Sequence, residues 1–310
     1  MVGKGFFLAG QIYDSFLVVV TILGAILIYA SFYANISLRT KTNAFFVSLV
    51  TADLLTATLV MSLDSVHLAK FPKWPFSRVT CNVWNSLFVA LGTSSLVNLT
   101  VMSIDKVNAI TRPLYYSTEI SKKTLIVLGC TWMYAVINGI YLYFLWEQPD
   151  VPTPTCRELS VSMEHSIPLL ILNVFIPFSV CLATNVKILK ISREQAIRVN
   201  AVINLSEQQS KLKAKKGART ISLLVGAFSF CVLPFFIFHA IDAISNESLP
   251  GRLSVSHIAK WLLFSNSALN WALYGFLNRE FRTTFARILR IMKKKVLSGF
   301  VARIPIIKIR

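Results

Sequence analysis

Asp53 stands in Ser48-Leu49-Val50-Thr51-Ala52-Asp53-Leu54-Leu55, a carboxylate inside an otherwise apolar run. An ionisable group at the centre of such a run is costly, so it is expected to face a polar interior and to have a role there. A second apolar stretch ends in Ser103-Ile104-Asp105-Lys106-Val107, with Arg112-Pro113-Leu114 just beyond it. A third carries Asn266-Ser267-Ala268-Leu269-Asn270-Trp271-Ala272-Leu273-Tyr274. Among the cysteines, Cys130, Cys181 and Cys231 lie inside apolar runs, where a buried free thiol is the plain expectation. Cys81 and Cys156 lie at the edges of polar connections and suit a disulfide if their side faces an oxidising compartment. No nucleophile–base pair and no metal-ligand spacing is visible, so an enzyme is not expected.

The elements that must position these residues are transmembrane helices. Of the 310 residues 55% are hydrophobic and only 15% charged, with mean hydropathy +0.61, whereas a soluble domain carries about 25% charged residues. Seven apolar stretches are long enough to cross about 30 Å of hydrocarbon as helix, approximately 12–36, 43–69, 78–111, 121–146, 163–192, 217–245 and 254–276. They far exceed the roughly ten residues of a barrel strand and lack strict alternation. The first apolar run continues to about Ala34, too far for a signal peptide, and reads as a first transmembrane helix. After the last, Phe281, Phe285, Ile288 and Leu289 recur at helical spacing against basic residues over approximately 278–293, the pattern of an amphipathic helix lying on an anionic leaflet. The expected architecture is an all-α membrane protein, a seven-transmembrane helix bundle with a short amphipathic cytoplasmic helix 8, formed as a single domain over 1–310.

The net charge of +18 invites a nucleic-acid partner, but its distribution argues for topology instead. With the spans drawn, 25 of the 32 Lys and Arg residues fall in connections 1–2, 3–4 and 5–6 and in the C-terminal tail. The positive-inside rule then places the N-terminus outside and the tail in the cytoplasm. The lipid bilayer is an expected partner; nucleic acid is not.

Ala52-Asp53 in helix 2, Trp132 in helix 4, Pro177 in helix 5, Phe228, Cys231 and Pro234 in helix 6, and Asn270 with Tyr274 in helix 7 come in the order by which the chain resembles the rhodopsin-like (class A) G-protein-coupled receptors over nearly its whole length. Trp74-Pro75-Phe76 before Cys81 resembles that family's first extracellular loop. The resemblance implies a Cys81–Cys156 disulfide pinning the second extracellular loop to helix 3. It also implies that Asp53, Ser95, Asn266 and Asn270 hold an allosteric sodium ion, the alternative being a polar network without an ion. No covalent cofactor is expected. Asp105, Lys106, Phe228, Pro234 and Tyr274 match activation positions, and Arg112, Pro113 and Leu114 would help to contact a heterotrimeric G protein.

Departures from the family are as informative. Lys106 replaces the usual arginine and keeps the charge without the planar fork. Val107 replaces an aromatic residue, Asn185 a tyrosine, Val232 a tryptophan and Trp271 a proline, while Ala25 stands where asparagine is usual. Near the place of the usual acidic residue on helix 6 is Ala214, amid lysines, so an inactive-state ion lock is not expected. These changes put ordinary activation in doubt and motivate a second reading, a non-signalling scaffold or modulator of the same fold.

A plasma-membrane receptor for an extracellular small molecule or short peptide is the leading expectation. Phe88 occupies the helix 3 position at which aminergic receptors carry aspartate, and Phe264 that at which opsins carry lysine, so neither a classical amine nor retinal is expected. Asp64 and Lys260, which the family fold would bring together, could seize a charged ligand or merely neutralise each other. Trp84, Asn85, Phe88, Phe235 and His239 are expected to line the same cavity. Asn246-Glu247-Ser248 is an extracellular glycosylation sequon.

Overall fold

The computed structural model describes residues 3–112, 115–145, 156, 163–199, 205–244 and 251–301. Seven long helices follow one another among them, α1 (Lys4–Ala34), α2 (Lys41–Lys70), α3 (Arg78–Thr111), α4 (Lys122–Leu145), α5 (163–199), α6 (Leu205–Ile244) and α7 (Arg252–Leu277), and α8 (Arg279–Val301) closes the chain. The described residues contain helices and turns and no strand. Hydrocarbon offers no partner for backbone N–H and C=O groups, so a spanning segment must satisfy them internally, as helices do.

The helix limits depart from the apolar stretches where polar residues continue a helix. α1 begins at Lys4, eight residues before its expected start, with Gly3 as an N-cap that supplies no side-chain hydrogen bond. α5 runs on to Val199, α6 starts at Leu205 and α8 reaches Val301, each extending beyond its apolar core. Other ends carry readable signals. The Thr40 hydroxyl accepts from Asn43 N at 3.3 Å and the Ser77 hydroxyl from Thr80 N at 3.2 Å, capping α2 and α3. Gly251 enters α7 at φ +70°, a left-handed conformation that favours glycine.

Six of these helices are long and apolar enough to cross a bilayer. α7 has the length, 26 residues, but its inward stripe carries His257, Lys260, Ser265, Asn266, Ser267 and Asn270, all buried, which lowers its hydropathy. Wide π-turns interrupt α2 at Thr56–Met61 and α5 at Ile171–Phe175 and re-aim the turns that follow.

α3 packs against α2, α4 and α5, and α7 lies between α1 and α6. The core separates into two apolar clusters. One gathers Phe46, Leu49, Leu99, Phe228, Tyr274 and Phe281 toward the basic end of the bundle. The other gathers Val60, Met61, Trp74, Trp84, Leu91 and Phe264 toward the disulfide end. Along α2, α3 and α7, the polar residues Asp53, Ser95 and Asn270 fall between the two, so a polar layer divides an otherwise greasy interior. Phe281 and Phe285 of α8 are buried against the bundle, whereas Leu289 is exposed beside Arg287 and Arg290.

Candidate functional site

At the disulfide end, the α2 turn after the π-segment turns Asp64 inward to meet Lys260 of α7. Lys260 Nζ donates to Asp64 Oδ1 at 2.8 Å, and the two side chains are only 1% and 0% exposed. The ammonium stands 5.6 Å from the centroid of Trp84, whose Nε1 donates to Val60 O at 3.0 Å and is fixed by it. Trp74 lies 5.4 Å from Trp84, ring centroid to ring centroid. From Trp84 an aromatic chain runs through Phe88 to Phe235 at 5.7 Å and on to His239 at 4.3 Å, with Phe264 6.1 Å from Phe88. The structure thus brings Asp64, Lys260, Trp84, Phe88, Phe235 and His239 into one connected group. Asn85 is turned to a different task. Its amide donates to Cys81 O at 3.1 Å and lies 3.6 Å from both sulfurs of the Cys81–Cys156 disulfide.

At this end α1 adds polar groups that were not among the expected site residues. Asp14 is fully buried at this end of α1. Ser15 hydrogen-bonds Ser65 at 2.9 Å, Ser65 donates to Gln11 O at 3.3 Å, and Tyr13 bonds Ser265 at 2.7 Å, stitching α1 to α2 and α7. His67 and His257 flank Phe71 at 5.6 and 5.5 Å. A charged residue near the start of the first apolar run is the signal that singles out Asp14.

In the middle layer, Asn270 Nδ2 donates to Asp53 Oδ2 at 3.0 Å, with the hydroxyls of Ser95 and Ser267 beside the same carboxyl. Asp53 Oδ1 and Asn266 Oδ1 are both buried acceptors that receive no hydrogen bond. A carboxylate, two hydroxyls and amide oxygens form the hard, all-oxygen donor set that suits a small monovalent cation, and two of those oxygens have coordination capacity to spare. Ser267 was missing from the set expected from sequence.

At the basic end, Asp105 is held from three sides. Lys41 Nζ of α2 pairs with Oδ1 at 3.2 Å, and Tyr116 OH donates to Oδ2 at 2.7 Å, with the Thr42 hydroxyl donating to the same oxygen. The Lys41 ammonium also lies 3.9 Å from the Tyr116 ring centroid. Burial pushes the Tyr116 phenol well above its ordinary value, so it remains a donor. Lys106, half-buried, makes no salt bridge among the described residues. The partner of Asp105 is therefore Lys41, 64 positions earlier in the chain, and not its neighbour.

Tyr274 OH donates to Asn43 Oδ1 at 2.7 Å, and its ring stacks on Phe46 at 3.9 Å. Asn185 Oδ1 accepts from Ser222 at 2.6 Å across α5 and α6, a contact the usual tyrosine would not make in this form. Phe228 is buried in the same cluster, and Pro234 lies inside α6. Arg112 is the exposed C-cap of α3. Pro113, Leu114, the sequon at Asn246 and the side chains around Ala214 lie outside the described residues.

A helical bundle with long apolar helices, a disulfide-pinned end, a polar layer at mid-depth and a basic opposite end is that of a membrane-spanning protein. Residues 24–274 match the family model for the 7 transmembrane receptor (rhodopsin family), and the chain belongs to that family, one of receptors rather than enzymes. It is 30% identical over 279 residues to the histamine H2 receptor of Cavia porcellus, covering 88% of this chain and 77% of that one. The histamine H2 receptor of Rattus norvegicus is 31% identical over 279 residues, covering 88% and 76%. The octopamine receptor beta-2R of Chilo suppressalis is 28% identical over 310 residues, covering 88% and 77%.

Proposed function

We propose that this chain is a plasma-membrane receptor that binds an extracellular amine at its disulfide end and activates a heterotrimeric G protein at its basic, cytoplasmic end. The observation that carries the reading is the buried carboxylate–ammonium pair of Asp64 and Lys260, set among aromatic rings at the disulfide end of a rhodopsin-family bundle. The names of the relatives, receptors for histamine and octopamine, weigh against the expectation of a non-amine ligand. That expectation rested on Phe88, and a missing helix 3 carboxylate removes one mode of amine binding and no more. Ligand action requires different affinities for two states of the bundle, with movement of α6 and α7 at the basic end as the bistable element. Asp53, Ser95, Ser267, Asn266 and Asn270 would hold a sodium ion in the resting state, which supplies a compensating charge for Asp53 and ties α2, α3 and α7 together.

The test uses cells that display the full chain at their surface and report second messengers. A response to at least one member of a panel of primary amines, including histamine and octopamine, is the expected result. Silence to the whole panel in a surface-displayed chain, both as it stands and with Lys106→Arg, would favour the scaffold reading. Capture of Asp105 by Lys41 is the observation that favours that alternative, since it leaves the basic end in an arrangement of its own.

A further inference from the structure

We infer that Asp64 is the residue that receives the ligand's ammonium, and that Lys260 is an intramolecular stand-in for it, occupying the carboxylate until a ligand ammonium takes its place. This rests on the receptor reading above and names the chemistry of its ligand site. Four observations support the exchange.

The pair sits where a ligand cation needs a counter-ion and where α3 offers none, because the stretch of α3 from Arg78 to Ser95 contains no acidic residue. Asp64 is also only half engaged. Oδ1 holds the Lys260 ammonium at 2.8 Å, while Oδ2 is buried and receives no hydrogen bond, so the carboxylate has acceptor capacity left for an incoming donor. In addition, the surroundings suit an ammonium in general and not Lys260 alone. Trp84 faces the charge at 5.6 Å, and Trp74 and Phe88 continue the aromatic wall on either side. Lys260, moreover, is able to leave. It stands eight residues from Arg252, the first residue of α7, and a flexible lysine stem directed toward that end of the helix can swing its ammonium outward from Asp64. Exchanging one ammonium for another keeps Asp64 compensated, so the carboxylate itself is not left as an unpaired buried charge. Until then the Lys260 side chain fills the space beside Trp84. The ligand class is a primary ammonium on a short stem, with an aromatic or heteroaromatic body to lie against the ring wall.

The experiment measures binding directly, without a G protein. The full chain is purified into lipid nanodiscs, and its thermal midpoint is followed against histamine and octopamine for the wild type, Lys260→Met, and the charge-neutral double variant Asp64→Asn/Lys260→Met. Removing the competing ammonium is expected to raise apparent affinity for at least one of the two amines by tenfold or more, and the double variant is expected to lose the amine-dependent shift. Should Lys260→Met fold only when amine is present during expression, that dependence is the expected result in another form. Should it not fold at all, Lys260→Gln makes the same comparison while keeping a donor for Asp64. Equal affinities in wild type and Lys260 variants, a shift that persists in the double variant, or no shift with either amine in any form overturns the inference. Binding without any second-messenger response would defeat the signalling reading and leave this one standing. An amine response of unchanged potency in Lys260→Met would do the reverse.

Discussion

Trp271 of α7 lies with its indole directly against Gly24 of α1, where a β-carbon would collide with the ring, and one end of the bundle repeats the arrangement with Trp261 on Gly10. The two glycines are 14 residues apart and share a face of α1; the two tryptophans are 10 apart on α7. Trp271 stands where the family carries proline, so the usual kink source is exchanged for a large side chain that needs a groove in the neighbouring helix. Gly24 supplies the groove, and α1 and α7 are fastened together at two levels.

Gly24→Ala is therefore expected to destabilise the chain by about 1–3 kcal/mol, because a rigid indole cannot yield without moving a helix. Gly92→Ala in α3 is the control, since a β-carbon there meets nothing within 4 Å. It should be neutral or stabilising by up to about 1 kcal/mol through helix propensity alone. Thermal unfolding of both variants in one detergent decides the matter, and equal midpoints would remove the fastening from the account.

Asp105 is shared by Lys41 and Tyr116, so the effects of Lys41→Met and Tyr116→Phe should not add. Each removes one of the groups that compensate the carboxylate, and the double variant removes both. Lys41 is partly exposed, 23%, so solvent screening reduces the pair to about 1 kcal/mol. A double-mutant cycle on thermal stability is expected to give a coupling of roughly 0.5–1.5 kcal/mol, the range for groups in one network. Strict additivity would mean that the two side chains act on Asp105 independently. Weakening the effect of Lys41→Met with 1 M salt, while leaving that of Tyr116→Phe in place, separates charge from hydrogen bonding.

The bundle itself was legible from the sequence because hydrocarbon imposes a simple demand: long apolar helices, with polar groups confined to an inner stripe. Asp53 stood out for the same reason, as a charge at mid-depth. The Asp64–Lys260 and Cys81–Cys156 pairs followed from the family resemblance, but other partnerships across helices could not be read. Asp105 and Lys106 are adjacent in the chain, yet the register of α2 against α3 gives Asp105 to Lys41. Gly10, Gly24, Trp261 and Trp271 were all visible as residue types, but their pairing depends on the relative rotation of α1 and α7, which periodicity does not supply. The start of α1 at Lys4 escaped because Gly3 provides no side-chain cap, and the start of α6 at Leu205 because its first turns are polar.

If the middle layer holds sodium, stability should depend on which monovalent cation is present. Replacing potassium by sodium at equal ionic strength is expected to stabilise the wild type by about 1.4 kcal/mol when sodium is tenfold above its Kd. Asp53→Asn removes the charge but keeps the shape, and it should abolish the difference between the two salts. Asn266→Leu should reduce it, because Asn266 Oδ1 is a buried oxygen that receives no hydrogen bond. A wild-type midpoint indifferent to the choice of cation would leave a polar network without an ion.

Tyr274 joins α7 to the base of α2 by two contacts that mutation can separate, the hydrogen bond to Asn43 Oδ1 at 2.7 Å and the stack on Phe46 at 3.9 Å. Tyr274→Phe keeps the stack and deletes the donor, leaving a buried amide oxygen unsatisfied at a cost of about 1–3 kcal/mol. Phe46→Leu keeps the bond and loses the stack, a term of about 0.5–1.5 kcal/mol beyond the lost area. Asn43→Ala removes the acceptor and also the bond that Asn43 Nδ2 donates to Leu38 O at 2.9 Å, so it should cost more than Tyr274→Phe. Once Asn43 is alanine, the Tyr274 hydroxyl has lost this acceptor and keeps only its contact with Asn278, so adding Tyr274→Phe should cost much less than it does alone. Thermal midpoints of the three singles and the Asn43→Ala/Tyr274→Phe double measure this directly. A double variant that loses the full sum of its singles would show that the hydroxyl and the amide stabilise the bundle through other partners.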